Sequence, residues 1–199
     1  DPKMVEFEYY FTRKLSFAWE SDAFVIFPGG LGTLDESFEI LTLMQTGKMP
    51  IVPVVMVERP GGRYWRVWQR FIEEDLVAEG HMSAQETALF RVCADGEEAL
   101  EHVRRFYRVF HSYRWNGKEL EIATLRALPE DALDELNRRF APLLERGRIV
   151  QSPASAEDAA GAGDRPGHRL TLVPHPRRYG EMRKLIDAVN EFGPVDESR

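Results

Sequence analysis

Apolar positions along the chain change their period several times, and each change marks a new element. Met4, Phe7, Phe11, Leu15 and Ala18 recur at steps of three and four, which predicts one apolar helix face. Arg13 then lies about 200° round that helix from Phe11 and points away from the core face, as Lys14 does in part. Residues 23–27 form a short unbroken apolar run, as expected of a parallel strand covered on both faces. Pro28-Gly29-Gly30-Leu31-Gly32 breaks that run. A helix restarts near Thr33, read as its N-cap, with Asp35 and Glu36 in the first turn. Phe38, Leu41, Met44 and Gln45 lie along one side of this helix, and Gly47 stops it.

The alternation continues. Residues 50–57 read as a buried strand, with Pro53 marking its start or an edge position. Residues 64–80 read as a helix whose Trp65, Trp68, Phe71, Ile72 and Leu76 recur at helical steps, the tryptophans as core rather than as a stacking platform. Residues 89–93 are a third strand, and Asp95 caps a helix reaching about residue 111. Strands alternating with helices of this length predict an α/β fold, a doubly wound parallel sheet.

From about residue 112 the pattern differs. Residues 112–125 read as two strands around the turn Asn116-Gly117, a strong hairpin dipeptide. Residues 129–147 read as an amphipathic helix striped by Leu133, Leu136, Phe140, Leu143 and Leu144, followed by a short strand at 148–151. Residues 153–167, rich in Ala, Gly, Ser, Pro and acid, read as a mobile loop. A strand at 169–173 and a helix at 179–192 follow, the helix with Met182, Leu185, Ile186 and Val189 inward. The order ββαββα predicts a small α+β domain at 113–199 beside an α/β part at 1–112. The smaller part carries no chemical motif, so its expected role is regulatory, oligomeric or structural.

Composition narrows the function. Hydrophobic residues make up 43% of the 199 and charged residues 30%, enough for a sizeable core. The formal net charge is -7, which argues against nucleic acid as a partner. No apolar run reaches the roughly 18 residues of a membrane span, and no signal peptide is visible. Cys93 is the single cysteine and sits in an apolar stretch, so it reads as a buried strand residue in a cytoplasmic protein. The five histidines have no ligand-like spacing with one another or with Cys93, so no metal is expected.

Chemistry concentrates at the glycine-rich turn. A helix N-terminus opening from such a loop presents backbone N–H groups to an anion, most often a phosphate. The spacing is neither that of the dinucleotide fingerprint nor that of a P-loop. Glu36 stands at the same mouth and is the first candidate for chemistry.

Pro28-Gly29-Gly30-Leu31-Gly32-Thr33-Leu34-Asp35-Glu36 fits the P-G-G-x-G-T-x-x-E motif of the LOG ("lonely guy") proteins, many of whose relatives carry an old lysine-decarboxylase label. Thr12-Arg13-Lys14 resembles the Arg-Lys element that precedes the motif, and Arg13 and Glu36 are 36 − 13 = 23 residues apart, as that family has them. Residues 42–48 look like the continuation, so the resemblance covers about residues 4–111. It implies a Rossmann-like domain that hydrolyses the N-glycosidic bond of a nucleoside 5′-monophosphate, without a cofactor. Arg13 and Glu36 would be catalytic. Lys14, Pro28, Gly29, Gly30, Gly32, Thr33 and Glu39 would bind substrate or its phosphate. A homodimer or larger assembly is implied. Family members carry several strands before the Arg-Lys helix, so the resemblance also implies N-terminal strands supplied by preceding residues or by another chain. A non-catalytic nucleotide carrier or sensor is the competing reading. A pyridoxal-phosphate decarboxylase is poorly supported, because no lysine sits in a Schiff-base context.

Overall fold

The computed structural model describes residues 10–154 and 167–192. Two sheets organise them. A three-stranded parallel sheet has the order β1-β2-β3, from Phe24–Ile26, Val54–Val57 and Arg91–Cys93. Helix α1 (Tyr10–Trp19) precedes it, and α2 (Leu31–Gln45), α3 (Tyr64–Phe71) and α4 (Gly96–Phe106) alternate with or follow its strands. A four-stranded antiparallel sheet has the order β4-β5-β7-β6, from Phe110–Asn116, Glu119–Thr124, His168–Pro174 and Leu144–Pro153. Helices α5 (Glu130–Arg139) and α6 (Tyr179–Glu191) complete the predicted ββαββα order.

Side-chain alternation on β2 explains the layering. Val54 and Met56 join one cluster with Ile40, Met44, Trp65 and Trp68 of α2 and α3. Val55 and Val57 face the other way, towards Cys93 and Ala99 of α4. All four β2 residues are buried, so this central strand is apolar on both faces. Trp65, Trp68 and Cys93 are core residues, as their patterns predict.

Several expectations need correction. The run at 23–27 is not fully buried, and among the described residues β1 pairs with β2 alone. Val25 is 50% exposed and Phe27 61%. On α1, Ala18 is buried but Leu15 is exposed; Met4, Phe7 and the side chain of Phe11 lie outside the described residues. Helix α2 starts at Leu31 with Gly30 as N-cap, so Thr33 is its third residue, and Asp35 and Glu36 fall beyond the first turn. Its buried side is Ser37, Ile40, Leu41 and Met44, which leaves Phe38 exposed. Gly47 stops it with a φ of 69°. Strand β2 begins directly after Pro53, whose carbonyl accepts from Phe24 N at 2.9 Å. Helix α3 ends at Phe71 and runs on as a π-helical turn over Ile72–Val77. Asp95 does cap α4, accepting from Glu98 N at 2.9 Å, but α4 stops at Phe106 because Phe110 and His111 already belong to β4.

The helix expected over 129–147 is cut short at Arg139. Pro142 lacks an N–H and cannot continue the ladder, so a single 3-10 turn follows and β6 begins at Leu144. Gly147, at a φ of 73°, sits where the β6–β7 register shifts. Most of the loop expected at 153–167 lies outside the described residues.

Helix α6 joins the two sheets. Eight of its thirteen residues are buried. Asn190 Oδ1 accepts from Val109 N and Phe110 N at 2.8 and 3.0 Å, fixing the chain where α4 gives way to β4. Arg183 donates to His102 of α4 at 3.0 Å and to Asp187 at 3.0 Å. Gly180 lies so close to Gln85 that a Cβ would come within 2.4 Å of its carbonyl oxygen. Ile51, from the parallel-sheet half, packs in the core of the antiparallel half.

Candidate active site

The candidate site is built by α1, β1 and α2. Strand β1 delivers the chain to Pro28-Gly29-Gly30, and α2 leaves it at Leu31. The N-cap of α2 is Gly30, which has no side chain to cap it. Gly29 is required by sterics: a Cβ there would lie 2.1 Å from Thr33 Oγ1. At Gly30 and Gly32 a Cβ would meet nothing within 4 Å, so nothing in the chain itself forbids a side chain there. None of these three glycines has a positive φ. Close approach therefore calls for glycine at Gly29 alone, and left-handed backbone calls for it at none of the three.

A cavity of about 440 Å³ lies between α1, β1 and α2. Arg13, Lys14, Thr33, Glu36 and Glu39 all line it, against an apolar wall that includes Phe24 and Leu43. Two turns of separate helices thus bring together residues 23 positions apart in sequence. Pro28 and Gly29 line a different cavity of about 900 Å³ on the other side of the loop, with Arg59, Arg63 and Tyr64 at its polar end. Among the described residues no carboxylate lines that larger space, whereas Glu36 and Glu39 line the smaller one.

Lys14 is the electrostatic centre of the smaller cavity. Its Nζ lies 2.8 Å from Glu39 Oε2, 2.9 Å from Asp35 Oδ2 and 3.3 Å from Glu36 Oε1. Glu39 and Asp35, followed by Glu36, hold the ammonium well above the usual lysine range against a smaller opposing effect of burial. Lys14 is only 13% exposed, whereas its neighbour Arg13 is exposed. Glu36 and Glu39 are three residues apart on α2 and so project from one face. Among the described residues, no group of three His, Cys, Asp or Glu side chains is arranged to hold a metal ion.

Two supporting residues were not foreseen from sequence. Tyr64 Oη donates to the Gly29 carbonyl at 2.8 Å and ties the loop to α3. Glu58, buried at the end of β2, accepts from Tyr64 N at 3.0 Å and Trp65 N at 2.9 Å and so caps α3. Its distance in sequence from the glycine loop left no signal. Asp35 was visible in the motif, but its ion pair with Lys14 depends on how α1 and α2 pack.

The first half of the chain carries the likeness to known proteins. A family model described as "possible lysine decarboxylase" matches residues 2–103, just over half of the chain. The chain belongs to this family. Its LOG-type motif and the site just described lie inside the matched region. Cytokinin riboside 5′-monophosphate phosphoribohydrolase of Rhodococcoides fascians is 35% identical over 92 residues, covering 46% of this chain and 44% of that protein. A rice protein (Oryza sativa subsp. japonica) named "probable cytokinin riboside 5′-monophosphate phosphoribohydrolase LOGL3" is 31% identical over 112 residues, covering 54% and 51%. The chain thus spans about half the length of the curated relatives it matches. No described helix of this LOG-family chain is long and apolar enough to cross a membrane.

Proposed function

We propose that this site hydrolyses the N-glycosidic bond of a nucleoside 5′-monophosphate. The convergence of Arg13 and Glu36 on one cavity, beside a helix N-terminus whose N-cap is a glycine, carries this reading. The names of the two relatives support it. In the reaction the C1′–N bond breaks and its electron pair leaves with the base. Water attacks C1′, Glu36 accepts a proton from it, and the departing base takes up a proton. The products are the free base and ribose 5-phosphate, with water as the only co-reactant. Positive charge develops on the ribose as the bond lengthens, and an ionised Glu36 stabilises it. Arg13 is permanently charged and forked, suited to hold the phosphate or the leaving base. The backbone N–H groups at Gly30, Leu31 and Gly32 suit the phosphate, because the free positions at Gly30 and Gly32 let it approach closely.

The rest of the reading belongs to the same proposal. The parallel strands form part of a Rossmann-like doubly wound sheet, since β2 is covered by different helices on its two faces. Residues 113–199 act as a small accessory domain. The protein works in the cytoplasm as a homodimer or larger assembly. A carrier or sensor without turnover is the second reading, favoured by the ion pair that engages Glu36 with Lys14.

The test uses the full-length protein and a panel of nucleoside 5′-monophosphates, with free base and ribose 5-phosphate assayed together. Release is expected for at least one member, with a loss of about 10³-fold or more in kcat for Glu36→Gln and Arg13→Ala. Tight nucleotide binding with no release from any member would replace hydrolysis by the carrier reading.

A further inference from the structure

The Arg-Lys element places two cations at the cavity, but the two are used differently. Lys14 Nζ sits among three carboxylate oxygens at 2.8–3.3 Å, contributed by Asp35, Glu36 and Glu39. One positive charge faces three negative ones, so the cluster as a whole remains negative. A phosphate dianion would be repelled by it, and would have to strip Lys14 from partners already in place. Lys14 also shields the carboxylates from one another. Adjacent Asp35 and Glu36, and Glu39 one turn on, repel across the α2 surface without a cation between them.

We propose that Lys14 is the positioning residue of the site: it clamps Glu36 and Glu39 towards the cavity and does not itself bind the substrate phosphate. This deepens the nucleotide reading of the same site and rests on it for its kinetic part. The clamp spans α1 and α2 and ties the face of α2 that carries Glu36 and Glu39 to α1. Phosphate recognition is then left to Arg13 and the N-terminus of α2. The raised lysine titration agrees with this geometry, since the ammonium stays charged through the whole physiological range.

Two measurements test the clamp. The first needs no activity. Competitive acetylation of the full-length protein with trace acetic anhydride, read by mass spectrometry, compares Lys14 with Lys118, whose side chain is 74% exposed. Lys14 should react at least about tenfold more slowly, and Glu39→Gln should speed it severalfold. Equal rates for the two lysines in the native protein would overturn the proposal.

The second compares Lys14→Met and Lys14→Arg, each checked by circular dichroism. Ribose 5-phosphate affinity, measured by calorimetry, should stay within about threefold of the native value in Lys14→Met. Its kcat on the best nucleotide should fall about 30-fold with KM nearly unchanged, and Lys14→Arg should recover most of the loss. A phosphate ligand would behave oppositely: affinity would weaken more than about tenfold and KM would rise while kcat held, which would overturn the proposal. If the native protein hydrolyses no nucleotide, the nucleotide reading falls, and the acetylation rates alone decide whether the clamp exists.

Discussion

The surroundings of the candidate site and the half of the molecule that follows it differ in what joins their elements. In the parallel-sheet half, Phe17, Trp19, Val25, Phe27 and Leu31 stand exposed around β1, which pairs with β2 alone among the described residues. Near the site, one lysine shared by three carboxylates bridges α1 and α2. In the antiparallel half, α6 buries Met182, Leu185, Ile186, Ala188 and Val189 completely or nearly so. Asn190 there serves two backbone N–H groups, and Arg183 bonds His102 and Asp187. An apolar core resists deformation because each truncated side chain leaves a void. A surface ion cluster tolerates rearrangement, and a site that must admit and release a ligand suits that looser region.

That contrast is open to attack from its largest consequence downward. Leu185 is fully buried on α6, so Leu185→Ala should cost about 3 kcal/mol in denaturant unfolding. A loss below about 1 kcal/mol would mean that α6 is not the joint between the sheets. Next in size is a pair of glycine substitutions. Gly29→Ala drives a Cβ against Thr33 and should cost about 2 kcal/mol. Gly32→Ala meets no atom within 4 Å and adds a better helix former, so thermal stability should rise by about 0.5 kcal/mol. If the phosphate approaches as proposed, the same Gly32→Ala should weaken ribose 5-phosphate binding despite that gain.

A smaller effect is set by pH. Burial first, and then the charge of Arg183, pushes His102 down to about 4 from its ordinary value. Between the unfolded value of roughly 6.5 and about 4, the unfolded chain binds a proton that the folded one refuses. Stability should therefore fall as pH drops through that window and level off below about 4. The ring is only partly buried, so the loss is about 1–2 kcal/mol. Melting curves of the native protein and His102→Gln should converge at low pH; parallel curves would remove His102 from the account. The smallest effect belongs to Leu31, 87% exposed beside the glycine loop. Leu31→Ser should change stability by less than about 0.5 kcal/mol. A larger loss would show that this surface is covered in solution.

The sequence alone determined the order of elements and the chemistry of one turn. Alternating apolar runs and helical stripes fix strand–helix order because they follow from backbone period. The ββαββα order of the second half was legible for the same reason, as were Asp95 as a cap and the core placement of Trp65 and Trp68. The match of the motif to its family needed only residue types at fixed spacing. Packing decided the rest. The burial of a strand depends on its neighbours, so the apolar run at 23–27 could not announce the exposure of Val25 and Phe27. The N-cap moved from Thr33 to Gly30 because the loop, not a side chain, sets where α2 begins. Strand β6 outran its short apolar signal because β7 pairs with it along its length. Lys14 and its three carboxylates lie 21 to 25 residues apart, and only the packing of α1 against α2 brings one ammonium within reach of all of them. Charge–charge contact is a property of distance in space, which period and spacing along a chain do not encode.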